Sequence, residues 1–178
     1  MKKCMLGVCA TLSVLAIATL AHAADEHKTM VGEAVAVLIP SKGSDGVGGT
    51  ILLKQEKDFV HVTGEVKGLT PGKHGFHIHQ FGDLRSDDGM ATGGHYNPDM
   101  KEHGGPHSKV HHAGDFGNVD AAANGIAKVD IKAEGLDLHH VLGRALVVHG
   151  GADDLTSQPA GNAGPRIAVG IIGLAQVK

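Results

Sequence analysis

The chain has 178 residues, with 16 basic side chains, 19 acidic ones and fourteen histidines. Its formal charge of −3, with no basic patch, gives no footprint for nucleic acid. Glycine is abundant at 27, tryptophan is absent and aromatic residues make up 3 %, which favours turns and short strands over long helices.

In chain order, Lys2 and Lys3 precede an apolar run over 5–20, and Ala21-His22-Ala23 follows as a small-x-small cleavage pattern. This predicts a secretory signal peptide over 1–23 and a single mature domain over 24–178. The apolar run is short for a membrane span and no second spanning stretch follows, so no membrane anchor is expected after cleavage. A lipid anchor on Cys9 is disfavoured because the apolar run continues past it. Cys4 and Cys9 are the only cysteines, so the mature domain has no thiol and no disulfide, and a metal site there must use nitrogen and oxygen. Losing Lys2 and Lys3 leaves 14 basic against 19 acidic residues, a mature charge of −5.

Alternating apolar and polar residues predict strands over 31–39, 50–54, 59–66 and 74–80. Residues 40–49 and 69–73 read as connections. From 81 to about 114 no helical or strand period is sustained. Loops of that length inside a compact domain are usually functional or disordered. Strands resume over 118–121 and, after an Asn124-Gly125 hairpin signal, over 126–131. An apolar strand over 142–149, a second long loop over 150–165 and a final strand over 166–175 complete the chain. About eight strands and no helix beyond two turns indicate an all-β closed barrel or sandwich.

Eight of the fourteen histidines fall between His74 and Asp115. Imidazole is the commonest metal ligand among side chains. His77 and His79 share one face of a strand, which puts Phe76 and Ile78 on the core side. His95, His103, His112 and Asp115 supply three nitrogens and an oxygen, a donor set that suits four-coordinate zinc. His149 ends an apolar strand; it is either a buried histidine with satisfied hydrogen bonds or a third nitrogen for the His77–His79 pair. A site of imidazoles without sulfur suits Cu(II). Arg166 follows a glycine-rich stretch that could bring it close to a metal, where it would dock an anion.

Six motifs resemble the copper–zinc superoxide dismutases: G-F-H-I-H-Q-F-G-D at 75–83, G-H-Y-N-P at 94–98, H-G-G-P at 103–106, H-A-G-D-F-G-N-V at 112–119, G-R-A-L-V-V-H at 143–149 and G-N-A-G-P-R at 161–166. The match suggests a secreted or periplasmic bacterial-type member. It implies an eight-stranded Greek-key β-barrel or sandwich with two long functional loops. It implies copper on His77, His79, His95 and His149, and zinc on His95, His103, His112 and Asp115, with His95 bridging the two. It further implies that Asp153 links His77 to His103, that His74 is structural, and that Arg166 guides the substrate anion. His112, not His111, fits the H-x-G-D pattern. The implied reaction disproportionates two superoxide ions and two protons to dioxygen and hydrogen peroxide. A homodimer is possible.

Three departures accompany the resemblance. The family's disulfide ties the metal loop to the last strand, but here the strand position is Val169 and the loop offers Gly89 or Met90. The loop over 150–165 is short and has no lysine to steer an anion. Gly93-Gly94 precedes His95 where relatives often have proline. Two competing readings remain at this stage: a non-catalytic periplasmic copper/zinc-binding module, and a zinc-only structural relative.

Overall fold

A computed structural model describes residues 32–176. The predicted signal peptide and His27 lie outside the described residues. Nine strands are present: β1 Glu33–Pro40, β2 Gly48–Gln55, β3 Phe59–Lys67, β4 Gly72–His79, β5 Asp115–Ala121, β6 Ala127–Glu134, β7 Ala145–His149, β8 Arg166–Ile171 and β9 Gly173–Leu174. Among the described residues, one α-helical turn, α1, spans Leu138–Val141.

The strands form one antiparallel sheet in the order β2-β3-β6-β5-β4-β7-β8-β1-β9, and a further β1–β2 pairing closes it. Strands β1 to β8 therefore make a barrel without open edges, and β9 extends the pairing to β1. Strand β3 neighbours β6, and β4 neighbours β7, so the chain crosses between strands distant in sequence in the Greek-key manner. Of the closed barrel or sandwich expected from the alternation, the closed barrel is the fold observed.

Period-2 alternation sets the inside of the barrel. In β1, Ala34, Ala36 and Leu38 point inward; in β2, Ile51 and Leu53; in β3, Val60, Val62 and Val66. Phe76 and Ile78 from β4 join the same core, packed with Leu146 and Val148 of β7 and with Phe116. His77 and His79 therefore lie on the outer face of β4, yet they are 0 % and 1 % exposed. The two long loops cover them.

Most strand boundaries shift by one or a few residues from those expected, and three of the differences have a specific cause. Strand β5 begins at Asp115 rather than 118, because a bulge shifts the β4 pairing from Gly75↔Asn118 to His77↔Asp115. The extra residue turns Asp115 towards the histidine face; bulges commonly re-aim side chains in this way. The strand expected over 142–149 starts at Ala145. Before it, Asp137 accepts the His139 N–H at 2.9 Å and caps the turn α1. The strand expected over 166–175 breaks at Ile172, whose N–H donates to Arg144 O at 2.9 Å while its carbonyl accepts from Gly143 N. Ile172 is thereby turned into the core.

The loop over 80–114 is not free of backbone pairing. Tyr96 N donates to Ile78 O at 2.7 Å, Ile78 N to Gly114 O at 2.9 Å, and Gly114 N to Tyr96 O at 2.9 Å. His79 and His95 form an isolated antiparallel bridge. The loop thus continues the sheet along the end of β4 by a few bonds, too few and too scattered to carry a strand pattern. A Cβ at Gly114 would run into the Ile78 carbonyl, so this close approach requires glycine. Arg144 fastens the root of the loop, donating to Gln80 O at 2.7 Å and covering the Tyr96 ring at 3.9 Å.

Candidate metal centre

The outer face of β4, the end of β7 and the two loops bring seven side chains into one buried cluster. His77, His79, His95 and His149 form one group whose nearest ring nitrogens lie within 4.8 Å of one another. His95, His103, His112 and Asp115 form a second group within the same limit. All seven residues are buried, and His95 alone is common to both groups. The His77 and His95 rings stack at 4.0 Å.

Hydrogen bonds on the outer side of each ring determine which nitrogen is left facing inward. His77 Nε2 is 2.8 Å from Asp153 Oδ2, and His103 Nε2 is 3.0 Å from Asp153 Oδ1. His79 Nδ1 donates to Gly93 O at 2.9 Å, and His149 Nδ1 to Gly164 O at 3.1 Å. The opposite nitrogens of these rings are then lone-pair atoms. His79 Nε2 and His149 Nε2 lie 3.3 Å apart. Two acceptors that close cannot hydrogen-bond to each other; a shared cation would satisfy both.

Four buried ring nitrogens have no hydrogen-bond partner: His77 Nδ1, His95 Nε2, His103 Nδ1 and His112 Nδ1. Orphaned buried polar atoms are rare and costly. Here they converge. His95 Nδ1 is 2.7 Å from Asp115 Oδ1, while His103 Nδ1 and His112 Nδ1 approach Asp115 at 3.1 and 3.2 Å without hydrogen-bond geometry. Inward nitrogens, one carboxylate and no sulfur fit a copper ion in the first group and a zinc ion in the second.

The electrostatics keep His77, His79, His149 and the two carboxylates deprotonated. Burial lowers His77 to about 4, against the hydrogen bond to Asp153. Burial, with His149 and His95 adding to it, lowers His79 to about 2. His149 is lowered to about 3, mainly by burial and then by His77. For Asp115, burial pushes the carboxyl up, but the hydrogen bond from His95 and the backbone N–H of His112 outweigh it and hold the group ionised. Asp153 is likewise raised by burial and lowered further by His77, Leu155 N and His103.

Arg166, at the start of β8, is half-buried beside the first group. It donates from Nη1 to Gly89 O at 2.6 Å and from Nη2 to Gly93 O at 2.6 Å. His74 joins neither group: its Nδ1 donates to His149 O at 2.8 Å and its Nε2 lies 2.9 Å from Thr70 O. It ties the ends of β4 and β7 together. His111 turns away and bonds the His112 carbonyl at 2.7 Å. His61 pairs with Asp130 at 2.7 Å on the surface, and His107, His139 and His140 are exposed.

Two residues not singled out from the sequence support Asp153 and His103. Asn118 clamps the Asp153 backbone, donating to its carbonyl at 2.9 Å and accepting its N–H at 2.8 Å. Gln158 does the same for the His103 backbone at 2.9 and 2.8 Å. Asn118 lies within the 112–119 motif; Gln158 sits in a loop without any spacing signal.

The sequence model of the family "Copper/zinc superoxide dismutase (SODC)" matches residues 47–172. An extracellular superoxide dismutase [Cu-Zn] of Onchocerca volvulus is 42 % identical over 170 residues, spanning 88 % of this chain and 83 % of that protein. The protein of the same name from Brugia pahangi is 39 % identical over 160 residues, spanning 83 % of this chain and 80 % of the other. A solved structure described as the clock protein EA4 superposes with a TM-score of 0.75 at 39 % identity, covering 83 % of this chain and 97 % of that one. By family match and by identity along most of its length, this chain belongs to the copper/zinc superoxide dismutases.

Proposed function

We infer that His77, His79, His95 and His149 hold copper, that His95, His103, His112 and Asp115 hold zinc, and that one imidazole, His95, serves both. The activity is the family's: two superoxide ions and two protons give dioxygen and hydrogen peroxide. The observation that carries the residue assignment is the set of inward ring nitrogens without partners, divided between two groups that share His95. Copper supplies the one-electron chemistry when bound, and zinc, which has no redox states to change, supplies fixed charge.

The protein's own side chains do the rest. Asp153 fixes His77 and His103 at once, so the two groups cannot shift independently. The carbonyls of Gly93 and Gly164 hold the His79 and His149 rings in one tautomer. His95 Nε2, which has no hydrogen-bond partner, is the atom placed to hold a proton and return it to reduced oxygen. Arg166 draws and orients the anion. The mature chain is net negative, so attraction has to be local to this arginine and the metal charge.

This reading is tested by metal analysis and superoxide dismutation on copper- and zinc-loaded protein, with His149→Ala alongside. The wild type should carry both metals and turn over; the variant should lose copper and activity yet keep most zinc. Loss of zinc before copper would reverse the site assignment. Metal binding without turnover would instead support the non-catalytic binding module.

Export of the chain is the reading favoured by the signal-peptide pattern over 1–23 and by the extracellular relatives. The destination is the periplasm or the medium. One outer face of the barrel supports a homodimer. Val37 and Ile39 of β1 are 59 % and 48 % exposed, and Ile171 and Leu174 beside them 40 % and 67 %. Phe81 and Leu84 are also exposed, and Leu84 lines the same shallow depression as Ile39. Apolar area of this kind commonly marks a protein interface. Sedimentation should give twice the chain mass, and Phe81→Glu should give the monomer; a wild-type monomer would contradict the reading.

A further inference from the structure

Thr92 is 0 % exposed, although its side chain is polar. It closes the short 3-10 turn Met90–Thr92, which is bracketed by Gly89 and Gly93, both at φ 75°. A hydroxyl has one hydrogen to donate and two lone pairs to accept with. Here neighbours take up all three. The Oγ1–H donates to Gly89 O at 2.9 Å. Oγ1 accepts from Arg166 Nη1 at 3.2 Å. It also lies 3.3 Å from His79 Nδ1, whose hydrogen is shared with Gly93 O at 2.9 Å.

Two glycine carbonyls link Thr92, His79 and Arg166. Gly89 O accepts from Thr92 Oγ1 and from Arg166 Nη1, and Gly93 O accepts from His79 Nδ1 and from Arg166 Nη2. The Thr92 hydroxyl thus lies within hydrogen-bonding distance of His79, Arg166 and Gly89 together. The turn also abuts β8, since a Cβ at Gly89 would lie 2.9 Å from Val169 Cγ2. No cysteine occurs after Cys9, so nothing covalent joins turn to strand.

We propose that Thr92 is a positioning residue of the dismutase site, whose hydroxyl holds His79 and Arg166 in fixed relation and secures the 89–93 turn against β8. The proposal rests on the reading of His79 as a copper ligand. The hydroxyl acts through others and need not touch the substrate. Removing it leaves Arg166 Nη1 and the turn with fewer partners in a buried setting, where an unmet polar group is costly.

The test compares wild type with Thr92→Val, which keeps the shape without the hydroxyl, and Thr92→Ser, which restores it. Amide hydrogen exchange on the metal-free proteins is the first measurement. Thr92→Val should speed exchange of residues 89–94 by about fivefold to tenfold, the factor carried by one lost hydrogen bond. Amides of β3 and β6 should be unchanged, and Thr92→Ser should return the turn to about the wild-type rate. Copper affinity, read by chelator competition, should weaken by a similar factor while zinc affinity stays. Unchanged exchange at 89–94, or acceleration spread evenly over the barrel, would overturn the proposal, as would equal weakening of both metals. If the wild type takes up no copper, the copper reading fails separately, and the exchange comparison alone decides the role of Thr92.

Discussion

Asp153 joins the two groups of the centre from outside. One carboxylate holds His77 through Oδ2 and His103 through Oδ1, and it is itself clamped by Asn118. Asp153→Ala should therefore weaken both metals, by about 10- to 100-fold in affinity as for other partners of metal ligands. Chelator competition with copper and with zinc checks this; an effect on one metal alone would break the link. Gly161 is the second sensitive position. At φ +66°, a Cβ there would overlap Asp153 Oδ1 and come within 2.6 Å of His103 Nε2. Gly161→Ala should lower the thermal midpoint and zinc affinity together. At this scale the sequence was informative where spacing means geometry: the His77–His79 pair on one strand face follows from period 2 alone. Gln158 and Thr92 were not legible, because their roles depend on loops folding back across 55 and 74 residues of chain.

The strands of the barrel were legible because alternation and turn chemistry agree along most of the chain. The exceptions have physical causes. The bulge that starts β5 early is an irregularity that no alternation announces, and the break at Ile172 comes from backbone bonds to residues 143–144. The loop over 80–114 carries no period because few of its bonds follow one another; bridge, arginine and histidine contacts hold it instead. Metal should contribute much of its order. Chelation should accelerate amide exchange around His103–His112 and leave β3 unchanged.

The same buried donors set a pH dependence for the metal-free protein. His77, His79 and His149 are held at about 4, 2 and 3, chiefly by burial. In the unfolded chain they protonate near about 6.5. Between those values the unfolded state binds more protons, so stability rises with pH. Metal-free protein should lose stability as pH falls below about 6.5, and these groups should add no slope above it. Urea midpoints across that range check the sign; a midpoint that rises towards acid would contradict it.

For the whole molecule, the metal loop is attached to β8 with no cysteine after Cys9, and the chain carries a formal charge of −3. Val169 packs with Ala145 and Val147 on the outer face of the barrel, and the 89–93 turn lies against it. Apolar contact and the hydrogen bonds of Arg166 therefore attach the loop. Arg166→Ala should slow turnover with copper still bound, and should flatten the dependence of rate on salt, since screening acts on long-range attraction. An unchanged rate at low salt would show that this arginine does not guide the anion. Family and fold could be read from the six motifs, but the apolar face formed by Ile39, Ile171 and Leu84 could not. Its residues come from β1, β8 and a loop, and only closure of the barrel makes them one surface.

The central claim is that one imidazole serves two metals, and His95→Ala tests it most directly. Metal content and superoxide dismutation are measured together on wild type and variant after balanced loading with copper and zinc. The account predicts equal copper and zinc in the wild type with turnover, and in His95→Ala weakened retention of both metals with activity lost. Full activity in His95→Ala, or loss of one metal with the other held as in the wild type, would contradict it.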